Sequence, residues 1–474
     1  MRGPIADALH GKTVLLTGGT GFLGKVVIER LLRSAPTLER VYLLIRERGE
    51  GNGSGVGARG RFESEILGSG AFASLARDLG GEWPKAARAK LVPVAGDVSE
   101  PLLGLGAETF ATLASSVDVV LHAAASVAFD EPLDAALLHN TRSAEHVAGF
   151  ARACRSAVLV HVSTAFVSGK RDGRIMESAL EWPDAASEIA EIEAAVAAVA
   201  RDREAGRLSA RGARTRLVEE GMARARSLGW HDTYTYTKAL GEMEIARHRG
   251  DVPTAIVRPT IIESALRDPM PGWLENLNVG DPVLAGFGRG HLPDFPLSRE
   301  AVVDFVPVDL VANAVVALLP RVAESEEIGY YAVGTGAVNP LRGRELYDLA
   351  EDYFTRHPMR DARGRPIPLP RWTFPTPRRF REMFRDEARR GTRTRWVTYL
   401  ADLYGPYTNG DRVFDTTNTR RLLDELDDAD REALDFDVRH IDWRSYLQDV
   451  HIPGLRRHVL GEGPGTPEPV HGHG

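Results

Sequence analysis

Five short apolar runs, separated by stretches with helical periodicity, set the organisation of this chain. Val14, Leu15 and Leu16 are too few for a helix and suit a strand buried on both faces. Behind them Val27, Ile28, Leu31 and Leu32 recur at helical spacing. The apolar run returns in residues 40–46 (RVYLLIR), 89–97 (AKLVPVAGD), 117–125 (VDVVLHAAA) and 157–163 (AVLVHVS), and a helical stretch opens at Asn140. Strands alternating with helices in this way predict an α/β, doubly wound parallel sheet of Rossmann type.

Residues 171–230 interrupt the rhythm. There Ile189, Ile192, Val196 and Val199 fall on one helical face, so a helical insertion is expected, packed over the edge of the crevice. A late strand at 330–334 (YYAVG) and a helix after it close the first domain, 1–344. The domain change is placed near residue 345. The tail 461–474 (GEGPGTPEPVHGHG) is too polar and too rich in glycine and proline to pack.

A length of 474 residues exceeds one ordinary core and agrees with two domains. A formal net charge of −7 argues against nucleic acid as a partner, since such binders carry a basic excess. The single cysteine, Cys154, excludes an internal disulfide framework, suits a reducing compartment and reads as an inert thiol. No apolar stretch is long enough to span a bilayer, and the N-terminus has no apolar signal core, so a cytoplasmic location is expected.

The candidate chemistry begins where the first strand ends, in TVLLTGGTGFLG. Gly18 permits the tight turn, Gly21 lets backbone approach a pyrophosphate, and Gly24 lets the helix pack closely on the strand. The positive end of the helix receives the phosphates. After the second strand stand Arg46, Glu47 and Arg48 in place of a ribose-binding Asp. A guanidinium there favours the 2′-phosphate of NADP. For Arg48 a solvated strand end explains the residue equally well, and residues 49–60 read as a flexible loop. His122, at the end of the fourth strand, reads as structural.

In TYTYTKALGE, Tyr234 and Lys238 lie one helical turn apart on one face. A lysine so placed lowers a tyrosine's pKa and makes it a usable proton donor. Thr164 supplies a second hydroxyl after the fifth strand. The bland alternative is a core tyrosine and a surface lysine. Tyr236 has Leu240 at the same spacing and therefore no lysine partner.

With these motifs the chain resembles an extended short-chain dehydrogenase/reductase, and more closely the fatty acyl-CoA reductases. The likeness runs through STAFVSG, residues 258–290 (RPTIIESALRDPMPGWLENLNVGDPVLAGFGRG), DFVPVDLVANA and the C-terminal FDTTNTRRLL and FDVRHIDWRSYL. It implies a smaller, mainly helical C-terminal domain over residues 345–460, and a catalytic group of Thr164, Tyr234 and Lys238, with Asn140 helping to hold the lysine through water. It implies cofactor positions at Gly18, Thr20, Gly21, Phe22, Leu23, Gly24, Arg46, Asp97 and Val98, with Pro259 and Thr260 near the nicotinamide.

The activity implied is NADPH-dependent reduction of long-chain fatty acyl-CoA to primary alcohol through the aldehyde, with release of CoA and no metal. Rival readings are an aldehyde-forming reductase, a reductase module of carboxylic acid reductase type, a sugar-nucleotide epimerase and a non-catalytic NADP-binding regulator. The arginine-rich stretch 371–395 could meet CoA phosphates or, peripherally, an anionic membrane; the alternative is a solvated helix face with apolar anchors.

Overall fold

The computed structural model describes residues 3–47, 56–181, 184–384 and 392–461. Arg48, most of the glycine-rich loop and nearly all of the tail lie outside the described residues. Eleven strands follow in chain order: β1 (Thr13–Thr17), β2 (Arg40–Ile45), β3 (Leu91–Ala95), β4 (Val119–His122), β5 (Val158–Val162), β6 (Gly173–Ile175), β7 (Thr254–Pro259), β8 (Ile261–Glu263), β9 (Phe305–Pro307), β10 (Gly329–Val333) and β11 (Arg412–Phe414). Seven of them make one sheet in the order β10-β7-β5-β4-β1-β2-β3, and every pairing is parallel. Such a sheet must be covered on both faces, which is why its strands read as unbroken apolar runs. Val14, Leu15 and Leu16 are fully buried, as are Val120, Leu121, Leu159 and Val160.

The strand order reverses between β1 and β4, and a crevice opens there at the carboxyl ends of the strands. Gly18 turns the chain out of β1 with a φ of 78°, and a Cβ on it would lie 2.5 Å from the Ala123 carbonyl carbon. A Cβ on Gly24 would come within 2.2 Å of the Gly18 carbonyl oxygen. The turn therefore tolerates no side chain at either position, and the helix Phe22–Ser34 starts directly behind it.

The insertion forms two helices of similar length, Ala185–Glu204 and Ala210–Ser227. Their apolar residues Ile189, Ile192, Ala213 and Leu217 pack with Leu133, Leu137, Tyr236 and Leu240. Tyr236 lies two residues, about 200°, round its helix from Tyr234. The insertion thus braces that helix from behind instead of covering the crevice.

The C-terminal segment is joined tightly to the rest. β11 pairs with β6, and the Asp430 carboxylate accepts the Ile5 amide at 2.9 Å. One apolar core runs from Ile5 to Leu460. The loop expected over residues 49–60 is corrected at its end: Ala58–Arg61 is helical. Within 371–384, Trp372, Phe380 and Phe384 are buried, while Arg378, Arg379 and Arg381 face solvent and pair with Glu382 or Asp402.

Candidate active site

The crevice is an open cleft of about 480 Å³ whose walls include Gly18, Thr20, Gly21, Arg46, Asp97 and Val98. The side chain of Arg46 is 57% exposed, 3.9 Å from the Asp97 carboxylate and 3.2 Å from His139 Nε2. Asp97 is held by Ser99, whose amide and hydroxyl both donate to Oδ1. At the other expected cofactor positions the side chains have partners of their own. Phe22 stacks on Trp273 with ring centroids 5.1 Å apart, Leu23 packs on the core, and Gly24 serves the close approach already described. Pro259 ends β7, and the Thr260 hydroxyl donates to Asp304 at 3.1 Å.

Arg61 was not among the expected residues. It also lines the cleft, donating to the Arg46 carbonyl at 2.5 Å and to the Thr20 hydroxyl at 3.3 Å, with Glu65 holding its other edge. Two guanidinium groups thus stand in a cleft that also carries the Asp97 and Glu131 carboxylates, Arg46 at the end of β2 and Arg61 between it and Thr20 of the glycine turn, where either can meet an anion. The cleft, the tight glycine turn and the helix behind it fit a dinucleotide.

Tyr234 and Lys238 sit on the helix Thr233–His248. Asp232 caps that helix, accepting the Thr235 amide at 2.8 Å. Thr164 follows β5 and hydrogen-bonds the Tyr234 phenol. Its own hydroxyl lies 3.4 Å from the Pro259 carbonyl oxygen. The structure therefore brings Thr164, rather than Ser163, to the tyrosine.

The electrostatics differ from the expectation drawn from spacing alone. Burial and the Asp232 carboxylate push the Tyr234 phenol up, and only the Thr164 hydrogen bond opposes them. Lys238 does not lower it. Burial brings the Lys238 ammonium down to about 8, against a rise from Glu242. Sharing a face is not enough here, because the long lysine side chain reaches past the phenol to β5. Its Nζ donates to the Val162 carbonyl at 2.9 Å and stands 3.2 Å from His161 Nε2.

Asn140 serves a neighbouring joint. Its amide donates to the Thr237 hydroxyl at 3.0 Å and its carbonyl oxygen accepts the Ser126 amide at 2.9 Å. No direct contact links it to the lysine. Tyr236 donates to Glu188, which is itself clasped by Arg224 at 2.6 and 2.9 Å. Cys154 is half-buried and its thiol is pushed up to about 12 by burial, so it stays an inert thiol.

Beside this group lies a narrow apolar cavity, lined by Val283, Phe287, Phe295, Leu346, Trp372 and Tyr404 among others. Phe129 links the two. Its ring is 5.8 Å from that of Tyr234 on one side, and 5.8 and 5.2 Å from those of Tyr404 and Tyr407 on the other. The cavity draws its walls from both 258–310 and the C-terminal segment. Among the described residues no helix is long and apolar enough to cross a membrane.

Two family models match the chain, both described as male sterility protein: an NAD-binding one over residues 16–315 and a second over residues 383–462. The chloroplastic fatty acyl-CoA reductase 2 of Arabidopsis thaliana is 36% identical, covering 96% of this chain and 79% of that protein. The alcohol-forming fatty acyl-CoA reductase of Simmondsia chinensis is 31% identical over 97% of this chain and 99% of its own. Among solved structures, the terminal R domain from the myxalamid PKS-NRPS biosynthetic pathway aligns with a TM-score of 0.61 at 19% identity, covering 94% of this chain and 92% of that one. The reductase (R) domain of a nonribosomal peptide synthetase from Mycobacterium tuberculosis gives 0.55 at 22%, over 96% and 94%. The sheet is of Rossmann type, and the family model and relatives make the chain an oxidoreductase that takes a nicotinamide cofactor. The chain belongs to the fatty acyl-CoA reductase family.

Proposed function

We propose that the protein reduces long-chain fatty acyl-CoA to the primary fatty alcohol through the aldehyde, using NADPH and releasing CoA. The observation that carries this reading is the Thr164–Tyr234 hydroxyl pair, linked by Phe129 to a narrow cavity with an apolar lining. Arg46 and Arg61 at the cleft support the 2′-phosphate of NADPH. The bound cofactor supplies hydride to the carbonyl carbon. Thr164 and Tyr234 donate hydrogen bonds to the oxyanion that develops on the thioester oxygen, where preorganised donors are most effective. A raised Tyr234 pKa suits this task, because the phenol stays protonated and able to donate.

Collapse of the tetrahedral adduct breaks the C–S bond. CoA departs as the thiol once its sulfur has gained a proton, and an aldehyde remains. After exchange of the oxidised cofactor for a second NADPH, hydride reaches the aldehyde carbon, while Tyr234 gives its proton to the aldehyde oxygen and regains one from solvent. In this reading Lys238 and Asn140 set the geometry around the tyrosine, and the thioester carries its own activation.

The reading extends to location: a cytoplasmic enzyme with one reduced cysteine. Exposed Met383, Trp396 and Tyr399, together with the solvent-facing Arg378, Arg379 and Arg381, support peripheral contact with an anionic membrane.

The test is an assay of purified protein with NADPH over acyl-CoAs of graded length, counting CoA thiol, NADPH consumed and products by mass spectrometry. Two NADPH per CoA, with alcohol as the product, is expected. One NADPH per CoA with aldehyde accumulating would replace the alcohol-forming reading by the aldehyde-forming one. Absence of CoA release from every acyl-CoA would overturn both.

A further inference from the structure

Lys238 is held by a residue outside every expectation drawn above. β4 and β5 are neighbours in the sheet, and their register sets His122 directly beside His161. The rings lie 4.9 Å apart at 39°. On the far side Thr17, the residue before the glycine turn, places its hydroxyl 2.8 Å from His122 Nδ1. On the near side His161 Nε2 meets the Lys238 ammonium. Thr17, His122, His161 and Lys238 are all buried, with exposures of 0 or 1%. A line of four side chains thus crosses the sheet beneath the cleft, from the cofactor turn to the lysine.

The lysine has few other partners. Glu242, one turn along its own helix, is committed to Arg258 of β7 through two hydrogen bonds of 3.0 and 2.7 Å. An ammonium in such a place depends on the acceptors that touch it, here the Val162 carbonyl and an imidazole. We propose that His161 is a positioning residue: its neutral ring accepts a hydrogen bond from Lys238 at Nε2 and fixes the ammonium against β5. The inference rests on the reading of Lys238 as part of the catalytic group.

The chemistry of the ring agrees with that assignment. Burial and the nearby ammonium hold His161 well below its ordinary value, and His122 down to about 3, so both are neutral at physiological pH. If Nε2 accepts, the ring proton of His161 sits on Nδ1. That nitrogen and His122 Nε2 make no hydrogen bond, and they belong to the two rings that pack together.

The pH test follows from what surrounds the lysine. The titratable and charged groups facing it are Tyr234 and Glu242 on its own helix, His161 from β5 and His122 from β4, with Arg258 of β7 behind Glu242. Neither histidine gains a proton above neutral pH, and Tyr234 is pushed up, so Lys238 is the group that changes charge near pH 8. An acceptor favours the charged ammonium, so removing it eases deprotonation.

In the full-length protein His161→Leu is expected to move the alkaline limb of the kcat/KM profile for acyl-CoA about one pH unit lower. At pH 8 it is expected to cost roughly fivefold, and His161→Gln, which restores an acceptor, to recover most of both. An unmoved alkaline limb in a folded His161→Leu, or a His161→Gln as impaired as the leucine variant, would overturn the proposal.

A measurement on the unmutated protein covers failure of the variants to fold. Nitrogen-15 NMR of labelled histidine should show His161 as the neutral Nδ1–H tautomer at pH 7, and an imidazolium or the Nε2–H tautomer would overturn the assignment. This readout does not need turnover. An unmutated protein that releases no CoA would therefore sink the functional reading while leaving the His161–Lys238 contact to be judged separately.

Discussion

Tyr407, on the C-terminal helix Thr392–Thr408, donates its phenolic hydrogen to Asp232, the cap of the helix that carries Tyr234 and Lys238. The two residues are 175 positions apart and both are buried. Burial pushes the Asp232 carboxyl up, and the bonds from Tyr407 and Thr235 pull it back. Removing one donor leaves a buried oxygen unsatisfied. Tyr407→Phe should therefore lower stability by about 1–3 kcal/mol, read by urea unfolding, and should reduce kcat while NADPH binding persists. Unchanged stability and turnover would show that the cap holds without help from the C-terminal segment.

Tyr234→Phe and Tyr236→Phe delete the same atom on opposite sides of one helix, with different expected results. Tyr234→Phe should abolish most turnover on acyl-CoA and on added aldehyde, with NADPH still bound. Tyr236 points to the insertion, where its hydroxyl donates to Glu188. Tyr236→Phe should keep most turnover and cost about 1 kcal/mol of stability. A protein in which Tyr236→Phe is inactive and Tyr234→Phe active would place the catalytic register two residues away.

The sheet was legible because its strands are buried on both faces, which writes an unbroken apolar run such as Val14–Leu16 into the sequence. Periodicity also marked the apolar face of the insertion. It could not say which partner that face would meet, and the partner is the back of the Tyr236 side of the helix. Spacing put Tyr234 and Lys238 on one face, but a lysine side chain is long enough to bond elsewhere. Its actual neighbour, His161, lies 77 residues away inside a run that reads only as a strand. Arg61 was hidden for a different reason. It sits just beyond a glycine-rich loop, and only the fold returns it to the Arg46 carbonyl.

Arg46 and Arg61 should separate in their effects on the cofactor. Arg46 is half-exposed at the cleft, and its partners there, Asp97 and His139, do not depend on it for the fold. Arg46→Ala should weaken NADPH by roughly 10- to 100-fold, the loss of about 1.5–3 kcal/mol of charge-assisted bonding, and leave NADH nearly unchanged. Arg61 is clamped by Glu65 and supports both the Arg46 backbone and Thr20. Arg61→Ala should therefore weaken both cofactors. Fluorescence titration with each nucleotide distinguishes the cases, and equal losses for Arg46→Ala would remove it from the 2′-phosphate site.

The buried histidines also predict how stability responds to acid. In the folded chain His122 is brought from its ordinary value of 6.5 down to about 3 by burial and the Lys238 ammonium. In the unfolded chain the same ring takes a proton near 6.5. Between those values the unfolded state binds the extra proton, so the stability that His122 contributes is complete above about pH 6.5 and is lost as pH falls towards 3. Once the unfolded ring is fully protonated, each such histidine adds about 1.4 kcal/mol per pH unit to the slope. His161 adds to the same slope, and so does His231, which burial and Arg412 bring down to about 4. His122→Gln removes one titrating group and keeps a polar side chain opposite Thr17. Urea unfolding from pH 7 to pH 5 should give a steep loss of stability in the unmutated protein and a shallower one in His122→Gln, whatever the variant's stability at pH 7. Equal slopes would mean that His122 accepts its proton as readily folded as unfolded, and that neither burial nor the Lys238 charge holds it down.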